Sequence, residues 1–107
     1  MAVPLFQLEV GRYCAVSARH ITLGDIALLQ DRVFIQTHQK WTSEDEWYGA
    51  FVIVSEPVPT SELQAAGYSS EFIAILQAAL DRFCDWVEFD VEGPLVSPWP
   101  VLWKDFA

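Results

Sequence analysis

The 107-residue chain carries fifteen acidic side chains against six basic ones, a net charge of −9, with 52% hydrophobic and only 20% charged residues. This apolar content excludes a disordered chain. Its longest purely apolar runs are a handful of residues, far from the roughly 20 that a membrane-spanning helix needs, and its acidic field repels nucleic acid and anionic membranes while attracting basic surfaces.

The length suits a single domain over residues 1–107. The N-terminal stretch MAVPLFQLEVGRY lacks the basic and apolar regions of a signal peptide. Leu5–Val10 and Tyr13–Val16 read as two strands separated by a turn at Gly11-Arg12. Thr22, three residues before Asp25, resembles a capping box and opens a short helix reaching about Asp31. Val33–Thr37 is β-branched and aromatic and predicts a strand, whereas the polar Lys40–Glu46 predicts a loop. Trp47–Val54 is the most strand-prone run, and its continuous apolarity predicts a central strand covered on both faces.

After Glu56-Pro57-Val58-Pro59, Ser61 is expected to cap a helical turn over Glu62–Ala66 that Gly67 ends. Ser69 or Ser70 caps the longest element, Glu71 to about Asp85, whose Phe72, Ile75, Leu76, Ala79, Leu80 and Phe83 form one apolar face. Val87–Val91 alternates, with its odd positions facing the core. The order β-β-α-β-β-α-α-β predicts an α+β fold: a mainly antiparallel β-sheet with two or three helices packed on one face.

No catalytic or cofactor motif stands out. Cys14, His20, His38 and Cys84 have none of the short intervals of a zinc knuckle, so no metal site is expected. Both cysteines sit in apolar segments and read as buried thiols of a cytosolic protein. There is no glycine-rich phosphate loop and no nucleophile elbow. No cofactor is expected, and the chain reads as a binding protein rather than an enzyme; a small enzyme using the cysteines and histidines is the rival.

The acids form three groups. Glu88, Asp90 and Glu92 share one face of the last strand, about 6.6–6.8 Å apart. Asp81 and Asp85 stand one turn apart on the long helix and repel. Glu44, Asp45 and Glu46 cluster on the loop before Trp47. A compact chain of this length is roughly 34 Å across, a span over which B-DNA carries about 20 phosphate charges. Acids segregated to one side could imitate part of that field, and acids spread evenly could not. Trp99 and Trp103, set among prolines, either lid the core or form an interface with a target or a second copy of the chain.

Three fragments carry a family resemblance: Ser17–Thr22 (SARHIT) with Asp25 and Leu28-Leu29, Gly67-Tyr68-Ser69 with Glu71-Phe72, and Phe89–Pro94 (FDVEGP) with a closing Trp-Pro-Val-Leu-Trp. Over about three quarters of its length the chain resembles small proteins encoded on bacterial plasmids, integrative elements and phages. It departs from their tail pattern, since Trp99 replaces a leucine and Leu102 stands where an aspartate would be. The family has no assigned activity, so the resemblance transfers no catalytic residue. It implies a setting in which small acidic proteins inhibit host restriction or CRISPR machinery by occupying basic nucleic-acid channels. The expectation is therefore a cytoplasmic inhibitor that binds a basic host protein through these acids, with an antitoxin or immunity-type partner protein as the alternative.

Overall fold

The computed structural model describes residues 11–43 and 46–103. The expected strand Leu5–Val10 and the acids Glu44 and Asp45 lie outside them. Strand β1 (Tyr13–Ser17) leads through a 3-10 turn (Ala18–His20) into α1 (Leu23–Gln30), followed by β2 (Thr37–Ser43), β3 (Glu46–Ile53), α2 (Thr60–Ala66), α3 (Ser70–Asp81) and β4 (Trp86–Asp90). The four strands form one sheet in the order β1-β4-β3-β2. β2–β3 and β3–β4 are antiparallel, and β1 runs parallel to β4. The fold is thus α+β with a mostly antiparallel sheet.

Alternation along the strands sorts the side chains onto two faces. Val16, Ala50, Val52, Val87 and Phe89 point to one face and are buried. The helices cover that face: Phe72 of α3 stacks on Phe89 at 5.6 Å, and the Gln39 amide of β2 donates to the Leu29 carbonyl of α1 at 2.8 Å. The opposite face carries Tyr13, His38, Lys40, Gly49, Phe51, Trp86, Glu88 and Asp90, as the register requires.

β3 is central, yet its outward Phe51 and Ile53 are only half-buried. Its apolar run therefore reflects one helix-covered face and one aromatic face, not helices on both. Gly49 permits the closest approach in the sheet, since a Cβ there would lie 2.3 Å from the Phe89 carbonyl oxygen.

The helix boundaries follow local capping. The Asp25 amide donates to Thr22 Oγ1 at 2.9 Å and the Thr22 amide to the Asp25 carboxylate at 3.0 Å, a complete capping box. Ser69, not Ser70, caps α3, accepting from the Phe72 amide at 3.1 Å. Gly67 ends α2 with φ 106°, a left-handed value that glycine adopts without steric cost. Ser61 lies inside α2, whose N-cap, Pro59, makes no side-chain bond.

Three other expectations are corrected. Lys40–Ser43 is not loop but the outer half of β2; as an edge strand it keeps one side in water, so a polar composition suits it. Val33–Gln36 is not strand, because Arg32 and Phe34 take φ of 55° and 64° and turn the chain out of extended geometry. The long helix stops at Asp81, four residues early. Phe83 adopts φ 60°, and the amides of Phe83 and Cys84 bond to the carbonyls of Leu80 and Ala79, which closes a Schellman cap.

Cys14 and Cys84, read from the sequence as separate thiols, form a disulfide with Cα atoms 6.4 Å apart. β1 and β4 are parallel neighbours, with Cys14 opposite Val87. The disulfide thereby ties the segment just past α3 to β1. The expectation of a cytosolic protein loses the support it drew from two reduced thiols. Among the described residues no helix is long and apolar enough to cross a membrane.

Candidate functional site

The open face of the sheet brings together residues from all four strands. Lys40 of β2 projects across β3 to β4, where its ammonium donates to the carboxylates of Asp90, at 2.8 Å, and Glu88. The rings of Tyr48 and Phe51 lie 5.0 and 5.5 Å from the same nitrogen. Burial alone lowers the Lys40 pKa, but the hydrogen bonds and charges of Asp90 and Glu88 outweigh it and hold the pKa above the usual lysine value. At neutral pH Lys40 is therefore a fixed positive charge and not a nucleophile.

Beside this cluster Gly11, Arg12, Tyr13, His38, Phe51 and Trp86 line a shallow depression of about 380 Å³. Tyr13 meets Phe51 edge-on at 5.9 Å, reaching across β4.

The acidic row is shorter than its sequence pattern suggests. Glu88 and Asp90 do share a face, but Lys40 bridges them. Glu92 lies past the end of β4, exposed in a turn where its amide donates to the Asp90 carboxylate at 2.8 Å. Asp81 and Asp85 are not on one helix. Asp81 ends α3 and accepts from Gln77 at 3.2 Å, while Asp85 accepts the Arg12 amide at 2.8 Å. Glu46 opens β3 in an exposed position.

The two tail tryptophans are half-buried against the core. Trp99 packs edge-on against His20 at 5.9 Å. The Trp103 indole donates to the Ile21 carbonyl at 2.9 Å, with the Arg19 guanidinium 6.0 Å above its ring. Trp99 and Trp103 thus lid one edge of the helix layer, away from the acidic strand face.

Three buried polar groups make long-range joints that the sequence does not announce, each linking segments far apart in the chain. His20, 1% exposed, accepts the Val96 amide at Nε2 and meets the Pro100 carbonyl at Nδ1, both at 2.8 Å. Since Nε2 accepts, Nδ1 carries the proton. Asp25, fully buried, accepts the Ser69 amide at 2.7 Å and the Ser69 hydroxyl in addition to its own capping bond. The caps of α1 and α3 therefore share one carboxylate.

Tyr68 donates to the Val33 carbonyl at 2.6 Å. Burial, and secondarily the charge of Asp25, pushes its pKa up to about 12. An acid with a raised folded pKa contributes stability that is whole below its unfolded value, near pH 10, and is lost as pH rises towards 12. Urea unfolding should therefore show a loss on the order of 2 kcal/mol between pH 9.5 and 12. Tyr68→Phe should remove most of that slope, leaving the part that Lys40, whose pKa is also raised, contributes above the usual lysine value, and an unchanged slope would refute the assignment.

These groups also explain the fragments that carry the family resemblance. His20, Asp25, Tyr68 and Ser69 make the joints just described, and the Ser17 amide donates to the Pro94 carbonyl at 2.8 Å. Gly93 passes so close to β1 that a Cβ would lie 2.6 Å from the Val16 carbonyl oxygen. The resemblance thus falls on residues that hold the fold together, not on those lining the depression. Both thiols are engaged in the disulfide and both nitrogens of His20 are bonded. Among the described residues no three of His, Cys, Asp and Glu converge as metal ligands. What the open face offers is contact chemistry: rings, carboxylates and one caged ammonium.

No curated protein and no solved structure shows significant similarity to the chain. Residues 13–103, from the first residue of β1 to Trp103, match the model of the C-terminal domain of a family of unknown function, DUF5983, and the chain belongs to that family.

Proposed function

We propose that this chain is a non-enzymatic acidic binding protein of a mobile element, which inhibits a host nucleic-acid-handling defence complex of the restriction or CRISPR kind by covering a basic surface of that complex. One observation carries this reading: the negative charge is largely uncompensated at the surface. Asp31, Glu46, Glu56, Glu62, Asp81, Asp85 and Glu92 are exposed. Among the described residues only Glu88 and Asp90 are held in ion pairs, and they share one lysine. Such a surface attracts a cationic partner over roughly a Debye length, about 8–10 Å near physiological salt.

The acids are distributed over several elements and do not form a single strip, so the mechanism is general attraction to a basic surface rather than close mimicry of a DNA backbone. The test is inhibition of a purified nucleic-acid-binding defence complex across a salt series. Inhibition should weaken steeply between 50 and 300 mM salt, and reversing the charges of Asp81, Asp85 and Glu92 together should reduce it at least about tenfold. Salt-insensitive inhibition that the triple reversal leaves untouched would sink the charge mechanism. An antitoxin would instead neutralise one cognate toxin and leave defence complexes active.

A further inference from the structure

The last described segment, Pro94–Trp103, runs over the body as a strap that is neither helix nor strand. Pro94, Pro98 and Pro100 lack the N–H that a sheet ladder needs, so the strap is held by other bonds. Among the described residues its hydrogen bonds to the body run to one stretch, Ser17–Ile21. The Ser17 amide donates to the Pro94 carbonyl and the Leu102 amide to the Arg19 carbonyl, each at 2.8 Å. The Trp103 indole donates to the Ile21 carbonyl. His20 supplies the two middle fastenings, accepting the Val96 amide at Nε2 and donating from Nδ1 to the Pro100 carbonyl.

Beside the strap lies a groove of about 270 Å³, to which the strap contributes Val96, Pro98 and Trp99 and the body contributes Ala15 of β1 with Ile75 and Ala79 of α3. Lifting the strap would open that groove and free the rings of Trp99 and Trp103.

His20 can hold the strap only as a neutral ring, because Nε2 needs its lone pair for the Val96 N–H. A second proton would set donor against donor in a site 1% exposed and leave a buried charge without a counter-ion. The strap and β1 contain no Asp, Glu, Lys or Arg. Arg19, in the same turn, is of like charge, and its Nε is itself a buried donor with no acceptor. In α1 the Asp25 carboxylate is taken by Thr22 and Ser69. On α3 Glu71 accepts from Ser70 and Asp81 from Gln77, and Arg82 just past it donates to the Ala78 carbonyl. Glu92, in the turn before the strap, is exposed. Among the described residues no carboxylate bonds the His20 ring.

We propose that His20 is an acid-operated latch, whose protonation releases the strap from Ser17–Ile21 while the sheet stays folded. The closed strap holds a neutral ring, and the released one leaves an ordinary histidine that titrates at about pH 6.5. Release therefore takes up one proton. Closure is fully supported above that pH and weakens as pH falls below it.

The test is amide hydrogen exchange of the whole chain by NMR, expressed as protection relative to the intrinsic rate at each pH. Protection of the Val96 and Leu102 amides should fall about tenfold per pH unit between about pH 6 and 5, the slope of one proton in a window above the ordinary carboxylate range. Val52 and Val87 in the sheet should keep theirs. His20→Gln retains one acceptor and one donor but takes no charge, and should hold strap protection level across the window. His38→Gln, at the chain's other histidine, which is exposed, should leave the slope intact. Should His20→Gln leave the strap open or fail to fold, the wild-type ring nitrogen shifts decide, since His20 must take up its proton in the same window in which the strap amides lose protection. Strap protection independent of pH, a slope that persists in His20→Gln, proton uptake by His20 outside that window, or a parallel loss at Val52 and Val87 overturns the latch.

Discussion

Replacing Asp25 by alanine is expected to destabilise the protein by about 3–5 kcal/mol, measured by urea unfolding at pH 7. The carboxylate is wholly buried and accepts the Thr22 amide, the Ser69 amide and the Ser69 hydroxyl. Removing it strands donors at the first turns of both α1 and α3, each costing about 1–3 kcal/mol when left without a partner. Because domains are stable by only about 5–15 kcal/mol, this is a large fraction of the total. Asp25→Asn should cost less, since it keeps one acceptor oxygen, but it turns a donor towards a site that needs a second acceptor. Asp31→Ala, on the surface, should fall within about 0.5 kcal/mol of wild type. A loss below 1 kcal/mol for Asp25→Ala would mean that water or a local shift satisfies the two helix termini.

Opening the Cys14–Cys84 disulfide should cost about 4 kcal/mol. The bond joins residues 70 apart in sequence, and in the chain-entropy model a loop of that length restricts the unfolded ensemble by roughly this amount. The double variant Cys14→Ser, Cys84→Ser and the dithiol-reduced wild type should both unfold at lower urea, by similar margins. The reduced protein should recover on oxidation. β1 is the element most affected, since it is held by β4 on one side and by the disulfide at its start. Two titratable thiols in protein purified without reductant, or unfolding midpoints indifferent to reduction, would contradict the pairing.

How far each feature could be read from sequence depended on the range of the interaction that sets it. The starts of α1 and α3 are legible because a capping box and a serine cap act within three residues, whereas α2 starts without a side-chain cap and Ser61 lies inside it. The alternation of Val87, Glu88, Phe89 and Asp90 placed those side chains on the correct faces, since strand geometry alone dictates it. The β2 edge strand was not legible. Lys40–Ser43 is polar because one side of it meets water, and composition cannot separate such a strand from a loop. The end of α3 was missed for a related reason: the apolar spacing continues through Phe83, and only the backbone shows that residue in the left-handed region.

The candidate site was legible in fewer of its parts. The sequence singles out Glu88 and Asp90, but the polar composition around Lys40 predicts a loop, so the ion pairs that bind it to both carboxylates are not legible there. Asp81 and Asp85 were grouped on one helix, and the early Schellman cap separates them. Tyr13 and Phe51 belong to expected strands, His38 and Trp86 fall between the expected elements, and nothing local marks the four as neighbours. They meet because β1 and β3 flank β4, an order of strands that no short-range pattern encodes.

By itself the sequence determined the acidic charge, the fold class, the starts of α1 and α3 and the inward and outward alternation of the strands. Each of these follows from composition or from contacts within a few residues. Only the tertiary structure decided that Asp25 also caps α3 from 44 residues away, that His20 pins the tail 76 and 80 residues downstream, that the cysteines pair, and that one sheet face stays open and aromatic. Those outcomes depend on which strands become neighbours and in what register, and that choice is made by burying the whole core at once.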